Sequence, residues 1–345
     1  MKNQFKHLIT AIVLVIAGTA TAQNGALDYM NVFSTEYRSI QQDMWDYTSS
    51  VSHGKSARKV EKRRGELIQT SNAALSKAKS AKGFSGSTDY RDSVVAYFTL
   101  VNLVLKEDYA KIVDMEAIAE DSYDAMEAYM TAREKANDKL VEAGKMVGRS
   151  QKTFAEANNI NLIESSDALD QKMEISGQVY DHYNEVYLIF FKSFKQELYM
   201  MDAINRKDLS AIEQNRNALK TTAEEGLGKL DKLTGYSNDA SLIDVTKELL
   251  KFYITEADKD VPKMADYFLK TENFNKVKAA FDQKKERDRT KEDVDGYNKA
   301  VNEMNSGVET YNKTNDLLNT LRTKYIDNWN RTAQKYTDKH VPKGK

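Results

Sequence analysis

The sequence predicts an all-α protein, an elongated up-and-down helical bundle made of two duplicated four-helix repeats. Three observations carry that expectation. Only two prolines, Pro262 and Pro342, occur in 345 residues. Proline removes a helix hydrogen bond and clashes with the preceding turn, so a chain free of it to residue 261 permits long uninterrupted helices. Apolar residues recur at steps of three and four, and no alternation of period two appears, so no sheet is assigned. Finally, the chain resembles itself at a nearly fixed spacing, the mark of an internal repeat.

The repeat is read in two stretches. Leu67 to Phe98 set against Leu219 to Leu250, a shift of 152, pairs Leu67 with Leu219, Thr70 with Thr222, Leu75 with Leu227, Lys77 with Lys229 and Asp92 with Asp244. The triplet Gly83-Phe84-Ser85 falls on Gly235-Tyr236-Ser237. Helical periodicity does not by itself ask for a turn there, so the triplet carries more weight than the paired Leu and Lys. Asn31 to Trp45 aligns with Glu185 to Tyr199 at a shift of 154, matching Val32 with Val186, Ser39 with Ser193 and Gln42 with Gln196. A small insertion between the two stretches accounts for the difference.

Gly, Ser and Asn clusters at His53-Gly54, Gly83 to Gly86 and Gly235 to Asp239 mark the helix ends. The first repeat then reads as helices over 27–50, 56–81, 89–106 and 107–158, and the second over 166–205, 209–233, 240–257 and 263–335. The last is expected to break near Arg289 to Gly296. In the fourth helix Ile112, Met115, Ala119, Tyr123, Met126, Met130, Ala136, Leu140 and Val147 form one apolar stripe. In the fifth, Tyr180, Tyr183, Tyr187, Phe191, Phe194 and Leu198 form an aromatic one. A helix with a single apolar stripe cannot bury it alone, and short connections favour antiparallel neighbours.

Residues 1–22 have the plan of a cleavable export signal: Lys2 and Lys6, an apolar run from Leu8 to Ala17, then Ala20-Thr21-Ala22. The apolar run is about half of the ~20 residues that a membrane span needs. The expected organisation is 1–22 signal peptide, 23–163 first repeat, 164–336 second repeat and 337–345 disordered tail. No Cys is present, so neither a disulfide nor an acylated N-terminal Cys is available, and the mature protein is expected in the periplasm or at the cell surface without a lipid anchor. Stability must come from burial. Without Lys2 and Lys6 the charges stand at 49 basic against 52 acidic, which argues against general nucleic-acid binding.

The residues that carry chemistry are sparse. A di-iron carboxylate bundle needs paired Glu-x-x-His motifs projecting inward from facing helices, and none is present. His182 with Glu185 is a single His-x-x-Glu, read as a polar edge of the aromatic stripe; His53 falls in a turn and His340 in the tail. No Gly-x-Ser-x-Gly elbow occurs, and Gly83 to Gly86 follows a helix rather than the strand that a phosphate loop requires. No catalytic residue, metal ligand or cofactor is therefore expected. Two surfaces remain: Tyr183, Tyr187, Phe191 and Phe194 as a ligand or interface stripe, and Arg58, Lys59, Lys62, Arg63 and Arg64 as a patch for an anionic partner.

An export signal, no Cys, almost no Pro and paired helical halves around Gly83-Phe84-Ser85 and Gly235-Tyr236-Ser237 together resemble exported helical-bundle envelope and surface proteins of Gram-negative bacteria, the leptospiral-type surface-protein family among them. That resemblance covers most of the mature chain, implies an envelope location and lends no catalytic residue. The expected function is a non-enzymatic scaffold or interaction protein whose partner is a protein or an envelope polysaccharide. The alternative is a carrier that holds an apolar small molecule between helices of the second repeat.

Overall fold

The computed structural model describes residues 12–14, 21–108, 120–164 and 167–343. It is all-α. The helices are α1 (Thr21–Ser52), α2 (Ala57–Ser80), α3 (Asp89–Leu103), α4 (Tyr123–Ala157), α5 (Ala168–Arg206), α6 (Leu209–Leu230), α7 (Ser241–Thr255), α8 (Val261–Gln283) and α9 (Lys291–His340). Packing divides the chain into two compact units, Met1–Asn184 with Gln334–Lys345, and Glu185–Ala333. The first begins and ends the chain, and α5 and α9 contribute residues to both.

In the first unit, each helix buries the stripe that its spacing sets. Met30, Phe33, Ile40 and Trp45 of α1, Leu67, Ala74 and Ala78 of α2, Val94, Phe98 and Val101 of α3, and Met126, Ala136 and Leu140 of α4 are all buried. One end of this core is a knot of rings. Tyr90 stacks on Phe154 with centroids 5.1 Å apart, Phe33 meets Tyr90 edge-on at 5.4 Å, and Tyr29 lies 5.5 Å from both Phe84 and Phe154. Such pairs are worth about 0.5–1.5 kcal/mol each beyond their buried area.

The second unit repeats the scheme with Val186, Phe190 and Met200 of α5, Ile212, Leu219 and Leu230 of α6, and Leu242, Leu249 and Leu250 of α7. At the same offset of 152, a run of elements recurs in both units. Helix α2 starts at Ala57 and α6 at Leu209; α3 spans Asp89–Leu103 and α7 Ser241–Thr255. Each of the latter pair passes into a five-residue π-helical segment, Val104–Asp108 and Glu256–Asp260. The Gly-aromatic-Ser triplets form matching turns, closed by the bridges Phe84 to Ser87 and Tyr236 to Asp239. Ser85 and Ser237 both sit at positive φ, 49° and 50°. The glycines are required by close approach, because a Cβ at Gly83 would stand 2.6 Å from the Ser87 carbonyl oxygen and one at Gly235 2.5 Å from that of Asp239.

The structure departs from the sequence reading in several places. The expected helix over 107–158 starts at Tyr123, because the Ser122 side chain accepts the Ala125 amide (3.1 Å) and caps a new helix there. Ile112, Met115 and Ala119, the beginning of the predicted stripe, lie outside the described residues. The last helical span is two helices, and its break falls between Gln283 and Lys291, earlier than Arg289 to Gly296. Thr290 and Asp293 set the restart by a reciprocal pair of backbone-to-side-chain hydrogen bonds, Thr290 N to Asp293 Oδ2 at 2.9 Å and Asp293 N to Thr290 Oγ1 at 3.3 Å. Residues 337–340, read as part of a tail, complete α9, with Tyr336, Thr337 and Val341 buried. Where no strand was assigned, β1 (Ile12–Leu14) pairs antiparallel with β2 (Leu162–Glu164) over three residues. Of the predicted leader, the rest of residues 1–20 falls outside the described residues.

Candidate functional site

The aromatic stripe of α5 has Tyr183 in the first unit and Tyr187, Phe191 and Phe194 in the second. Within the second unit Tyr187 stacks on Phe191 (5.6 Å), Phe191 lies 6.2 Å from Phe194, and Phe190, between them in sequence, stacks on Trp329 of α9 at 4.1 Å. Phe190 and Phe191 are 5% and 3% exposed. Trp329 is held by its indole N–H, which donates to Thr246 Oγ1 at 2.9 Å. These rings are occupied by one another. Tyr183 belongs to the first unit, where it meets Tyr180 edge-on at 6.3 Å. Of the predicted stripe, Tyr187, Phe191 and Phe194 lie together within the second unit, beside Phe190 and Trp329, which the sequence reading did not include. A cavity of about 30 Å³ lies elsewhere, in the first unit, lined by Tyr37, Ile40, Met44, Tyr97, Leu140 and Met173 among others. It has room for roughly two waters. Burial raises the Tyr97 phenol beside it to about 12.

The basic patch lies on the first two turns of α2 and separates into two groups. Arg63 donates to Glu66 (2.8 Å) and lies 3.5 Å from Asp46; Arg64 donates to Glu61 (2.8 and 3.0 Å); Lys62 lies 3.6 Å from Glu66. Hydrogen bonds from Arg64 and Arg63 hold Glu61 and Glu66 below the usual carboxylate range. Arg58 and Lys59 are exposed and make no ion pair among the described residues. They occupy the first turn of a helix that has no acidic residue in that turn and whose N-cap, Ser56, makes no side-chain capping bond. Cations there oppose the helix dipole, typically by about 0.3–1 kcal/mol each.

His182 and His53 are both held by contacts within the first unit. His182 Nδ1 lies 2.9 Å from the Tyr336 hydroxyl, and the two rings stack. His53, in the turn after α1, sits 3.0 Å from Asp338 Oδ1 through Nδ1 and 3.2 Å from the Pro342 carbonyl through Nε2. The bond from His53 holds the Asp338 carboxyl low. Among the described residues no group of three or more His, Cys, Asp or Glu side chains is arranged to hold a metal ion.

One polar constellation was missed by reading the sequence. Glu256 opens the second π segment and is fully buried, Glu197 of α5 is 4% exposed, and Arg322 of α9 reaches both. Arg322 donates through Nε (2.9 Å) and one terminal nitrogen to Glu256 Oε1. The same Nε is 2.6 Å from Glu197 Oε1, but its proton is aimed at Glu256. Glu197 Oε1, in this ion pair, and Glu256 Oε2 and the Tyr253 hydroxyl are buried without a hydrogen-bond partner. Burial raises the Glu256 carboxyl to about 8 against the opposing charge of Arg322, and raises Glu197 for the same reason. Tyr253 is pushed well above its ordinary value by burial and by both carboxylates. Its signal in the sequence was comparative: at the shift of 152, Val104 and Val101, 0% and 3% exposed, stand where Glu256 and Tyr253 stand.

Comparison of the chain with protein-family models, with curated proteins and with solved structures returns no match.

Proposed function

We propose that this chain is a non-enzymatic, exported, envelope-associated scaffold that engages an anionic macromolecule, an acidic protein or an acidic polysaccharide, through the start of α2. The observation that carries the reading is the exposed pair Arg58 and Lys59. They stand at the unfavourable end of a helix dipole without an acidic partner, while Lys62, Arg63 and Arg64 just beyond them are each matched to a carboxylate of the protein itself. A local electrostatic cost with no internal compensation is the kind of exception that binding surfaces show. Lys55, also exposed, extends the same surface. The export leader and the resemblance to envelope proteins support the location. A carrier would need the rings of Tyr187, Phe190, Phe191 and Trp329 to part before an apolar ligand could enter.

Retention of the purified protein on an immobilised acidic polysaccharide and on an acidic protein, at increasing salt, tests the reading. Retention on one of them should weaken steeply with salt and fall at least about tenfold in R58E/K59E, as expected when two cations contact a polyanion. Charge reversal at Lys62 and Arg63, which are internally paired, should matter less. Absence of retention on either matrix, or equal retention of R58E/K59E, removes the proposal, as does a turnover abolished by a point substitution.

A further inference from the structure

We propose that Glu197, Arg322 and Glu256 form a proton-operated latch in the second unit: with one proton shared between the two carboxylates the cluster is neutral and closed, and loss of that proton opens the π segment Glu256–Asp260. The charge count gives the reason. One guanidinium balances one carboxylate, so two ionised carboxylates leave a net negative charge where Glu256 is 0% exposed and Arg322 only 11%. A buried charge without a partner is strongly disfavoured, and the group takes up a proton instead. The geometry leaves a place for that proton on Glu256 Oε2, a buried oxygen without a hydrogen bond, whereas Glu197 Oε1 faces the Arg322 guanidinium at 2.6 Å. The raised carboxyls agree with this count.

The charged and titratable groups around Glu256 do not supply a second cation. Glu197 faces it from α5, Tyr253 from α7 and Arg322 from α9. Within its own segment Asp260 adds a further negative field and is paired with Lys263 of α8 (2.8 Å). From α6, Arg216 donates to the Ala257 carbonyl and Lys220 lies 2.9 Å from Asp258 Oδ2, both spent on the rim of the segment. Nor does the architecture demand a carboxylate, since the first π segment places fully buried Val104 at the matching position. An ionisable group that the same turn does without elsewhere in the chain is best explained by what it can sense. π-helical segments interrupt the regular hydrogen-bond ladder and often mark such sites.

The test is carried out on the whole chain. Urea unfolding of wild type and E256Q is followed from pH ~5 to ~8, with the side-chain carboxyl carbons of Glu197 and Glu256 titrated by NMR in the native wild type and amide exchange, corrected for its intrinsic pH dependence, read over 256–260. In the wild type the unfolding constant should rise on the order of a hundredfold across that range, as expected for a carboxyl that holds its proton only when folded. One carboxyl should titrate far above the usual range, and protection over 256–260 should drop. E256Q, which is neutral at every pH, should hold its unfolding constant within about threefold. Should E256Q fail to fold, E256V, which copies Val104, serves in its place, and the native wild-type titration reads the proton directly. Two ionised carboxylates throughout, or a pH response in E256Q equal to that of the wild type, overturns the latch.

Discussion

Trp329 shows how one residue ties the second unit together. Its ring stacks on Phe190 while its indole N–H is spent on Thr246, so it fills volume and satisfies a buried hydroxyl at once. W329F keeps an aromatic ring but loses the donor and leaves a void. The hydrogen bond is worth about 1 kcal/mol net and the lost volume about 1–2 kcal/mol more, so W329F should be destabilised by roughly 2–3 kcal/mol in urea unfolding. Fluorescence of the remaining Trp45 and far-UV circular dichroism together provide the readout; an unchanged midpoint would contradict the packing described. The α5 rings were legible in the sequence as an apolar stripe, because their spacing is helical. Trp329 was not, since the residue that completes the stack lies on α9, and periodicity says nothing about which distant stripe it meets. The same limit hid Glu197, Glu256 and Arg322, which look like ordinary surface charges until three helices bring them together.

At the scale of elements, the existence of each helix was readable and its ends were less so. Spacing of apolar residues specifies a face, which survives an error of a few residues in the bounds. Ends depend on single side chains. The Thr290 to Asp293 exchange restarts the chain as α9 directly after the short 3₁₀ turn Glu286–Asp288, and Lys284 adds an ion pair to Asp293 at 2.6 Å. This junction matters more than most, because the buried residues of α8 are Val261, Met264 and Phe268, all near its start. Beyond them α8 and α9 hold each other through contacts such as Phe281 with Tyr297 (4.7 Å) and Phe274 with Tyr297 (6.0 Å). T290A should therefore cost about 1 kcal/mol locally. Faster amide exchange should appear in the first turn of α9 and spread into the end of α8, with little change at α6 or α7. The π segments had no signature of their own, as one extra residue in a turn changes neither composition nor face. They become visible only when the recurring elements are laid over one another.

For the whole molecule, stability has to be held without covalent cross-links, and its dependence on pH separates the two kinds of charge the chain uses. On the surface, hydrogen bonds from Arg64, Arg216, Lys247, Lys276 and Lys313 hold Glu61, Glu213, Asp231, Glu272 and Glu309 below their ordinary values. A carboxyl depressed in the folded state contributes stability that is complete above its unfolded value and is lost as pH falls through the folded one. These exposed pairs are individually weak, so the acid limb should be gradual and should shrink in ~0.5 M salt. Glu256 acts in the opposite direction. Its folded value is raised from 4.5 to about 8, so the stability it allows is present below the unfolded value and is lost as pH rises through that window. The sum is a maximum at mildly acidic pH instead of a neutral plateau. Because Glu256 and Arg322 are shielded from solvent ions, the alkaline limb should persist in the same ~0.5 M salt that flattens the acid one. Urea midpoints measured across pH at low and high salt distinguish the two, and an alkaline limb that salt abolishes would place its origin on the surface.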